Sequence, residues 1–327
     1  YTVINAGTIS TLRNSSNISA IEVNDVVVTT LTNTGVMSAK IEGDQTNVSG
    51  INIEAEGVNA SIGTLTNSGT ISGTNEDRNR AYGIQLYGYT STASITTLTN
   101  SGTISGTSGF SGGYGVFLYG YYAQAYITTL TNSGTISGTA ATSIGYGIYL
   151  YDYNDVDVSI NTLTNTGTIS GTTHDINNSF NTIVNLNNSQ GKNGNDVLTY
   201  NGTLPTNYNV IVNSTSDYGQ ASFTGENGTT NFGVSSSSTF SGSTTYASVI
   251  NGLATGKIGS TRSGTVGGYS WELVLQSGQT DIWDLVITGS GSGSRTGYTS
   301  RITINSLSKI AAILEAINTA GSNSTLT

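Results

Sequence analysis

The stretch Leu98-Thr-Asn-Ser-Gly-Thr-Ile-Ser-Gly-Thr107 decides the fold of this chain, because close copies of it recur along the first half of the sequence. Copies begin at Leu65, Leu130 and Leu163, a weaker one begins at Leu31, and a truncated one lies within Tyr1–Ser10. From Leu31 onward the spacings are 34, 33, 32 and 33 residues. Self-similarity at a period of this length is typical of repeat proteins, in which each copy forms one structural unit.

A second block alternates with the first and is predicted to form a β-strand. Its copies are Tyr82–Tyr89, Tyr114–Tyr121 and Tyr146–Tyr153, and a short apolar element such as Ile95 precedes each copy of the first block. Apolar residues alternate with period 2 rather than 3.6, and glycine interrupts every segment, which excludes helical repeats. Propeller blades normally need four strands and a longer repeat, which leaves a propeller as a minor alternative. The repeats therefore predict an all-β fold, a parallel β-solenoid with about five to six coils of about 33 residues.

The repeat pattern divides the chain into three parts. Residues 1–189 are predicted to form the repeat β-solenoid, 190–304 an irregular β-rich region that caps or continues it, and 305–327 an amphipathic helix and tail. Strand-like stretches in the second part are 195–198, 208–212, 220–223, 269–276 and 282–287. A solenoid must cover its last core layer, so a docked cap is favoured over a partner-binding helix for the third part.

Composition narrows the classes of function. Thr (53), Ser (44), Asn (34) and Gly (43) make up 174 of the 327 residues. The formal charge of 10 − 19 = −9 excludes a polyanion-binding surface built from bulk charge, and with it nucleic acid as a partner. The chain has no cysteine, so no disulfide or thiolate is available and the redox compartment stays open. No run of about 18 apolar residues exists, so no membrane-spanning helix is predicted.

One asparagine recurs at a fixed place in every copy of the first block. It begins the predicted corner Asn100–Gly102, where Asn and Gly accept the left-handed backbone that a sharp bend requires. Coils stacked about 4.8 Å apart would align these side chains, and each amide could then bond the amide above and below it. The members of this predicted structural ladder are Asn5, Asn33, Asn67, Asn100, Asn132 and Asn165.

The second block places aromatic residues opposite its aliphatic residues. Side chains alternate along a strand, so if Ile84, Val116 and Ile148 point inward, their neighbours point outward. The outward set, with Gln85 as its single non-aromatic member, forms the predicted contact surface: Phe117, Tyr149, Tyr87, Tyr119, Tyr151, Tyr89, Tyr121 and Tyr153. An exposed aromatic surface of this extent usually marks an interface. The alternatives to an interface are that the rings only stack on one another, or that the loop 140–145 covers them.

The first block, present four times nearly verbatim, resembles the repeats of bacterial autotransporter passengers and related large surface adhesins. The resemblance covers about residues 1–190, and extends less specifically to 283–287 and 306–320, which are similar to the closing region of such passengers and to the linker into their membrane barrel. It implies a right-handed parallel β-helix, a released or excised passenger, and a secreted or cell-surface location. It does not fix an activity, because the family includes adhesins, proteases, lipases and structural stalks.

Candidate catalytic and metal-binding residues are few. The sole histidine, His174, has no second histidine for a metal site or a hydrolytic triad and is predicted to be a solvated loop residue. Asp152, Asp155 and Asp157 are candidates for a polysaccharide-cleaving enzyme, with Asp155 and Asp157 projecting the same way from a strand. They lack acidic counterparts on adjacent coils, which favours a solvated polar edge. The turn ending at Asp196 is similar to a calcium-binding nonapeptide, but it is a single copy interrupted by a lysine, which favours a plain turn.

These features predict a non-catalytic, extracellular structural or adhesive protein: a rigid rod or filament subunit that mediates adhesion or self-association through an exposed tyrosine face. The expected partners are cell-surface polysaccharide, whose rings stack on phenol faces, or further copies of the chain, associating laterally or by strand addition at an open coil end. No cofactor is expected. The alternative is a polysaccharide-cleaving β-helix enzyme, either a lyase or a glycoside hydrolase.

Overall fold

The computed structural model describes residues 1–13, 17–41, 46–192 and 196–289, and over these residues the chain is a parallel β-solenoid of about seven turns. The prediction of an all-β solenoid with turns of about 33 residues is therefore confirmed. The predicted helix in 305–327 lies outside the described residues. The strands, in chain order, are β1 (Thr2–Asn5), β2 (Thr8–Arg13), β3 (Ile18–Asn24), β4 (Val27–Asn33), β5 (Val36–Ile41), β6 (Val48–Ala55), β7 (Ala60–Asn67), β8 (Thr70–Asn75), β9 (Ala81–Gly88), β10 (Ala93–Asn100), β11 (Thr103–Ser108), β12 (Gly112–Gly120), β13 (Ala125–Asn132), β14 (Thr135–Ala140), β15 (Ile144–Asp152), β16 (Val158–Asn165), β17 (Thr168–Gly171), β18 (His174–Ser179), β19 (Thr182–Asn188), β20 (Leu198–Thr203), β21 (Asn207–Val210), β22 (Val212–Ser214), β23 (Asp217–Tyr218), β24 (Ala221–Asn227), β25 (Asn231–Val234), β26 (Thr244–Asn251), β27 (Ser263–Val266), β28 (Tyr269–Leu275) and β29 (Trp283–Thr288), with one 3-10 helix at Thr255–Lys257.

Three sheets build the solenoid. Sheet A contains nine strands in the order β1-β4-β7-β10-β13-β16-β19-β21-β25, and sheet B contains six, β2-β5-β8-β11-β14-β17. Sheet C contains twelve, β3-β6-β9-β12-β15-β18-β20-β24-β26-β29-β28-β27. The chain from β1 to β18 visits A, B and C in that order six times. From β19 to β26 it alternates between A and C, apart from β22 and β23, which form a separate two-stranded antiparallel sheet.

Identical residues stack on one another because neighbouring turns pair in register. Leu98 pairs with Leu65 on one side and Leu130 on the other, and Ile104 pairs in the same way with Ile71 and Ile136. These side chains are fully buried and belong to one continuous core. The first sequence block thus contributes to two sheets, because its Leu-Thr-Asn part ends β10 and its Thr-Ile-Ser-Gly part forms β11, on either side of the predicted corner.

The turns shorten after Leu163. Leu163 pairs with Leu186, 23 positions on, and later turns span 22 and 24 residues. Sheet B ends at β17, and the side chain of Gln190 occupies the place of a further strand: its Oε1 accepts from the Ile169 amide at 2.8 Å and its Nε2 donates to the Ile169 carbonyl at 2.9 Å. A side-chain amide therefore pairs with backbone groups at the edge of the sheet.

The C-terminal end of the described chain is an antiparallel cap. Strands β26, β29, β28 and β27 pair antiparallel at the end of sheet C. Trp283 is buried there and donates its indole N–H to the Leu253 carbonyl at 2.7 Å, and Trp271 packs edge-on against Phe232. The region from residue 190 thus first continues the solenoid with shorter turns and then covers its last core layer, as solenoid ends require.

The six predicted ladder asparagines lie one above another in sheet A and hydrogen-bond through their side chains. Asn100 donates from Nδ2 to Asn132 Oδ1 at 2.8 Å and accepts at Oδ1 from Asn67 Nδ2 at 2.8 Å. Its Nδ2 also donates to the Thr135 carbonyl at 3.1 Å in the next turn. The other links of the ladder run Asn5–Asn33, Asn33–Asn67 and Asn132–Asn165, at 2.8, 2.7 and 2.8 Å. All six amides are buried, so each depends on its neighbours for hydrogen-bond partners.

Asn100→Ala should lower the free energy of unfolding by about 1–3 kcal/mol, because it removes partners from the buried amides of the two neighbouring asparagines. Urea unfolding of the purified protein measures this change. Ser101→Ala is the matched control, since Ser101 is exposed beside the ladder and should cost under about 0.5 kcal/mol. Equal destabilisation by the two variants would contradict a supporting role for the ladder.

Glycine at the corner is required by the closeness of the turns. A Cβ atom at Gly102 would collide with the carbonyl oxygen of Gly69 in the turn before, whereas a Cβ at Gly7 in the first turn meets nothing within 4 Å. Gly102→Ala should therefore destabilise the protein by about 2 kcal/mol or more through forced overpacking. Gly7→Ala should be neutral or slightly stabilising. Thermal unfolding of both variants tests this, and similar losses at both positions would refute the explanation.

Candidate functional site

The outer surface of sheet C carries stacked aromatic rings on three consecutive strands, β9, β12 and β15. In-register pairing aligns equivalent residues into columns, as Tyr87, Tyr119 and Tyr151 illustrate. We call the whole set the aromatic face, and its members are Tyr82, Tyr114 and Tyr146 in the first column, Phe117 and Tyr149 in the second, Tyr87, Tyr119 and Tyr151 in the third, and Tyr89, Tyr121 and Tyr153 in the fourth.

The rings stack nearly parallel because the strand spacing of about 4.8 Å is close to the separation of stacked aromatic rings. The centroids of Tyr87 and Tyr119 are 5.1 Å apart with an angle of 4° between the ring planes. Tyr121 and Tyr153 lie 5.0 Å apart at 16°. Contacts also cross between columns, since Phe117 stacks on Tyr82 at 5.3 Å and 10°. The aromatic face is thus a second apolar cluster, separate from the solenoid core.

The first column was not assigned to this face by the sequence pattern. Strict alternation places Tyr82 on the same side as Ile84, yet its ring packs outward against Phe117. The intervening Gly83 accounts for the difference: a Cβ there would collide with Ile104 of sheet B and with backbone atoms, so the chain needs glycine where the two sheets meet. The recurring Tyr-Gly pair at 82–83, 114–115 and 146–147 is the signal that marks this break in alternation.

The predicted exposure of the face is wrong at Phe117. Its side chain does point away from the core, but it is only 2% exposed because the rings of Tyr82, Tyr114 and Tyr149 cover it. Most of the predicted tyrosines are half-buried, and Tyr153 is the most exposed of them at 59%. The face therefore presents ring edges and phenol hydroxyl groups to solvent more than open ring faces.

Burial raises the pKa values of several phenols of the face. Desolvation raises the pKa of Tyr149 to about 12, although a hydrogen bond with Ser179 opposes the shift. Desolvation also raises the pKa values of Tyr82, Tyr87, Tyr114 and Tyr119. Tyr121 differs, since a hydrogen bond with Tyr122 is the main cause that raises its pKa to about 12. These hydroxyl groups can both donate and accept hydrogen bonds at neutral pH.

Polar residues end the columns in both directions. On the N-terminal side Ser49, Asn52 and Glu54 of β6 pair with Tyr82, Gln85 and Tyr87. On the C-terminal side His174 pairs with Tyr146, and their ring centroids are 6.3 Å apart at 25°. His174 is therefore the half-buried first residue of β18, which corrects its prediction as a solvated loop residue, and burial lowers its pKa.

The three candidate catalytic aspartates lie together but not on a strand. Asp152 ends β15, whereas Asp155 and Asp157 belong to the loop before β16, so the prediction that these two project the same way from a strand is wrong. Asp155 has a φ of 53°, which strand geometry does not allow. With Phe180, which is 81% exposed, the three aspartates line an open depression of about 220 Å³.

Neither a cluster of metal ligands nor a membrane-spanning helix is found among the described residues. Across the described ranges, no cluster of three or more His, Cys, Asp or Glu side chains is placed to hold a metal ion. Asp196 is exposed, and residues 193–195 of the calcium-like turn fall outside the described part of the chain. No helix within the described residues has the length and apolar character needed to cross a bilayer.

Comparisons with protein-family models, curated proteins and solved structures found no significant match.

Alkaline pH should destabilise the protein through the aromatic face. Because the pKa of Tyr149 is raised to about 12 from the usual value of about 10, the folded chain holds this proton over a pH range in which the unfolded chain loses it. Its contribution to stability is thus complete below about pH 10 and is lost as the pH rises to about 12. Urea unfolding at a series of pH values should show a shallower decline for Tyr149→Phe than for the wild type, and parallel declines would contradict this origin.

Proposed function

We propose that this protein is a non-catalytic, extracellular adhesive protein, a rigid β-solenoid rod that holds polysaccharide against its aromatic face. The observation that carries the proposal is the aromatic face itself: stacked rings on three consecutive strands, clustered outside the solenoid core and half-exposed at their edges. A core needs no such second cluster, and exposed aromatic clusters on proteins mark contact sites.

The solenoid supplies a stiff support for this face. Nine strands of sheet A are separated by eight steps of about 4.8 Å, which gives an axial length of about 38 Å. Each turn is joined to the next by backbone hydrogen bonds and, in the first six turns, by the asparagine ladder. Rings held at fixed spacing lose little conformational freedom when a ligand binds, which reduces the entropic cost of association.

The chemistry of the face suits sugar rings. A pyranose has a rim of hydroxyl groups beside its apolar C–H faces, and the aromatic face presents phenol hydroxyl groups and apolar ring edges to solvent. Burial moves the pKa values of Tyr87, Tyr119 and Tyr149 further above neutral pH, so these three phenols can donate hydrogen bonds to a sugar. An extended polysaccharide can contact several such tyrosines along one column at once, so individually weak contacts add up.

Charge favours polysaccharide over a second copy of the chain. The protein carries a formal charge of −9. Acidic residues lie at or just after the C-terminal ends of β6 and β15, beside the aromatic face: Glu54, Glu56, Asp152, Asp155 and Asp157. Two such faces packed together would bring like charges close, which opposes association. A neutral polysaccharide meets no such repulsion.

The sequence of the first block supports a location outside the cell. Its resemblance to autotransporter passengers and surface adhesins favours a secreted or cell-surface protein, where polysaccharide is accessible. The cleavage alternative receives no comparable support, because its two central carboxylates, Asp155 and Asp157, lie in the exposed loop before β16 and not on a strand.

The triple variant Tyr87→Ser/Tyr119→Ser/Tyr151→Ser tests the proposal by removing one complete column. Retention on insoluble neutral polysaccharides, namely cellulose, chitin and immobilised mannan, should fall at least about tenfold relative to the wild type, a change of about 1.4 kcal/mol in binding. The matched control is Thr64→Ser/Thr97→Ser/Thr129→Ser, a column of paired residues on the outer side of sheet A. Circular dichroism verifies that both variants are folded.

Two outcomes would overturn polysaccharide adhesion. One is equal retention of the wild type and the tyrosine variant, including the case in which neither is retained on any of the three polymers. The other is concentration-dependent sedimentation of the wild type that the tyrosine variant abolishes without any polysaccharide binding, which would assign the face to self-association.

A further inference from the structure

A cavity lies at the N-terminal end of the aromatic face, where the columns lose their rings. Going from β9 to β6, Tyr82 is replaced by Ser49, Gln85 by Asn52 and Tyr87 by Glu54. The smaller side chains on β6 leave a cavity of about 180 Å³ between the end of the stack and the first turn. Its position therefore follows from the point at which the aromatic repeat begins.

The ring of Tyr87 ends its column at this cavity. On one side it stacks on Tyr119, with centroids 5.1 Å apart and 4° between the planes. On the other side the register partner is Glu54, and both residues line the cavity. A flat ligand placed against Tyr87 would continue the column by one more member at the spacing that the stack already uses.

Polar groups converge on the same space. Glu54 is half-buried, and its Oε2 accepts from Asn52 Nδ2 at 3.1 Å. Asn52 Oδ1 is buried and has no hydrogen-bond partner, and a buried acceptor without a donor costs free energy. Ser49 donates to Gln85 Oε1 at 3.3 Å, and Arg80 also lines the cavity. The cavity thus combines one aromatic wall with the carboxylate of Glu54, one buried acceptor without a donor, Asn52 Oδ1, and a guanidinium group.

Size and charge restrict the ligand. The volume is smaller than the roughly 300–1,000 Å³ typical of sites for drug-sized ligands, which suits a single ring. The neighbouring carboxylates Glu22, Glu56 and Asp25 are close enough to Glu54 to interact with it electrostatically. The four carboxylates outnumber the single guanidinium group of Arg80, so an anionic sugar would meet a net negative charge and be repelled, whereas the hydroxyl groups of a neutral sugar can donate to Glu54 and Asn52.

We propose that this cavity binds one neutral pyranose ring of a polysaccharide, stacked on Tyr87 and hydrogen-bonded through its hydroxyl groups to Glu54 and Asn52. The inference rests on the proposed function and adds the element of specificity to it. The aromatic face contacts many sugars weakly along its columns, and the cavity recognises the one that it encloses. A small set of polar groups at the end of an apolar surface is the usual arrangement by which a binding site fixes ligand identity.

Glu54→Tyr is the decisive variant, because it extends the Tyr87 column by one ring and fills the cavity while preserving the aromatic face. The matched control is Ser179→Tyr, which adds a ring at the opposite end of the same column, next to Tyr151, and leaves the cavity unchanged. The probes are cellotetraose, maltotetraose and mannotetraose, with a tetrasaccharide of galacturonate as the anionic comparison. Binding to the full chain is measured by isothermal titration calorimetry and saturation-transfer NMR.

The wild type and Ser179→Tyr should bind at least one neutral tetrasaccharide with equal affinity and should not bind the anionic one. Glu54→Tyr should weaken that binding at least tenfold, and Glu54→Gln with Asn52→Ala should weaken it to a similar extent without filling the cavity.

The inference fails if Glu54→Tyr binds the neutral tetrasaccharides as tightly as Ser179→Tyr, or if the wild type binds none of them. In either case the retention of the wild type on insoluble polysaccharide, and its loss in the triple tyrosine variant, can still hold, so failure of the cavity is distinguished from failure of adhesion. Preference for the galacturonate tetrasaccharide would contradict the assignment to neutral sugars.

Discussion

Parallel, in-register stacking is the constraint on which the rest of this structure depends. Each residue of a strand lies about 4.8 Å from its counterpart in the next turn, so a side chain is tolerated at a position when it packs well against a copy of itself. Leucine and isoleucine satisfy this condition in the core, asparagine in the ladder and tyrosine on the outer surface. Carboxylates do not satisfy it, and Glu54 pairs with Asn24 and Tyr87 rather than with another acid.

The same constraint explains how the repeat is brought to an end. After β17 the sequence lacks the Thr-Ile-Ser-Gly segment, and Gln190 bonds with its side chain the backbone groups that a further strand of sheet B would have bonded. Its Oε1 also accepts from Asn165 Nδ2 at 3.0 Å. Asn165 Nδ2 donates in addition to Asn188 Oδ1 at 3.3 Å, so the ladder continues for one turn beyond sheet B. In the shorter turns, asparagine replaces threonine on the outer side of sheet A, where Asn207 Nδ2 donates to Asn185 Oδ1 at 3.0 Å. Stacked amides thus stabilise the end of the solenoid on its outside as the ladder does on its inside.

Sheet C differs from the other two sheets because both of its surfaces carry apolar side chains. Val116 and Leu118 face the core, while Phe117 and Tyr119 pack into the aromatic face. The inner surface holds the turns together, and the outer surface holds neutral phenols at fixed spacing. The position of the hydroxyl groups and the stability of the fold are therefore coupled at this sheet, since the stacking that positions these groups also buries the rings that carry them.

The stacking of equivalent residues in successive turns could be predicted directly from the sequence. A period of about 33 residues fixes which residue stacks on which, so the ladder of asparagines, the inward Leu98 and Ile104 and the alignment of the tyrosines followed from spacing and alternation alone. Phe117 shows the limit of that reasoning. Its direction was predicted correctly, but its burial depends on rings from other columns, and Tyr82 joins those rings only because Gly83 interrupts the alternation where sheets B and C meet.

The order of stacked residues along the solenoid axis follows from the sequence. Stacking joins equivalent positions of successive repeats, and a repeat shows directly which positions are equivalent. Tertiary structure alone decided the lateral contacts: the cover over Phe117, the place of Gln190 at the end of sheet B, the loop position of Asp155 and Asp157, and the cavity beside Tyr87. Such contacts join positions that have no fixed separation in the repeat. They depend on where the backbone bends and how far each side chain reaches, and neither quantity is encoded in a period.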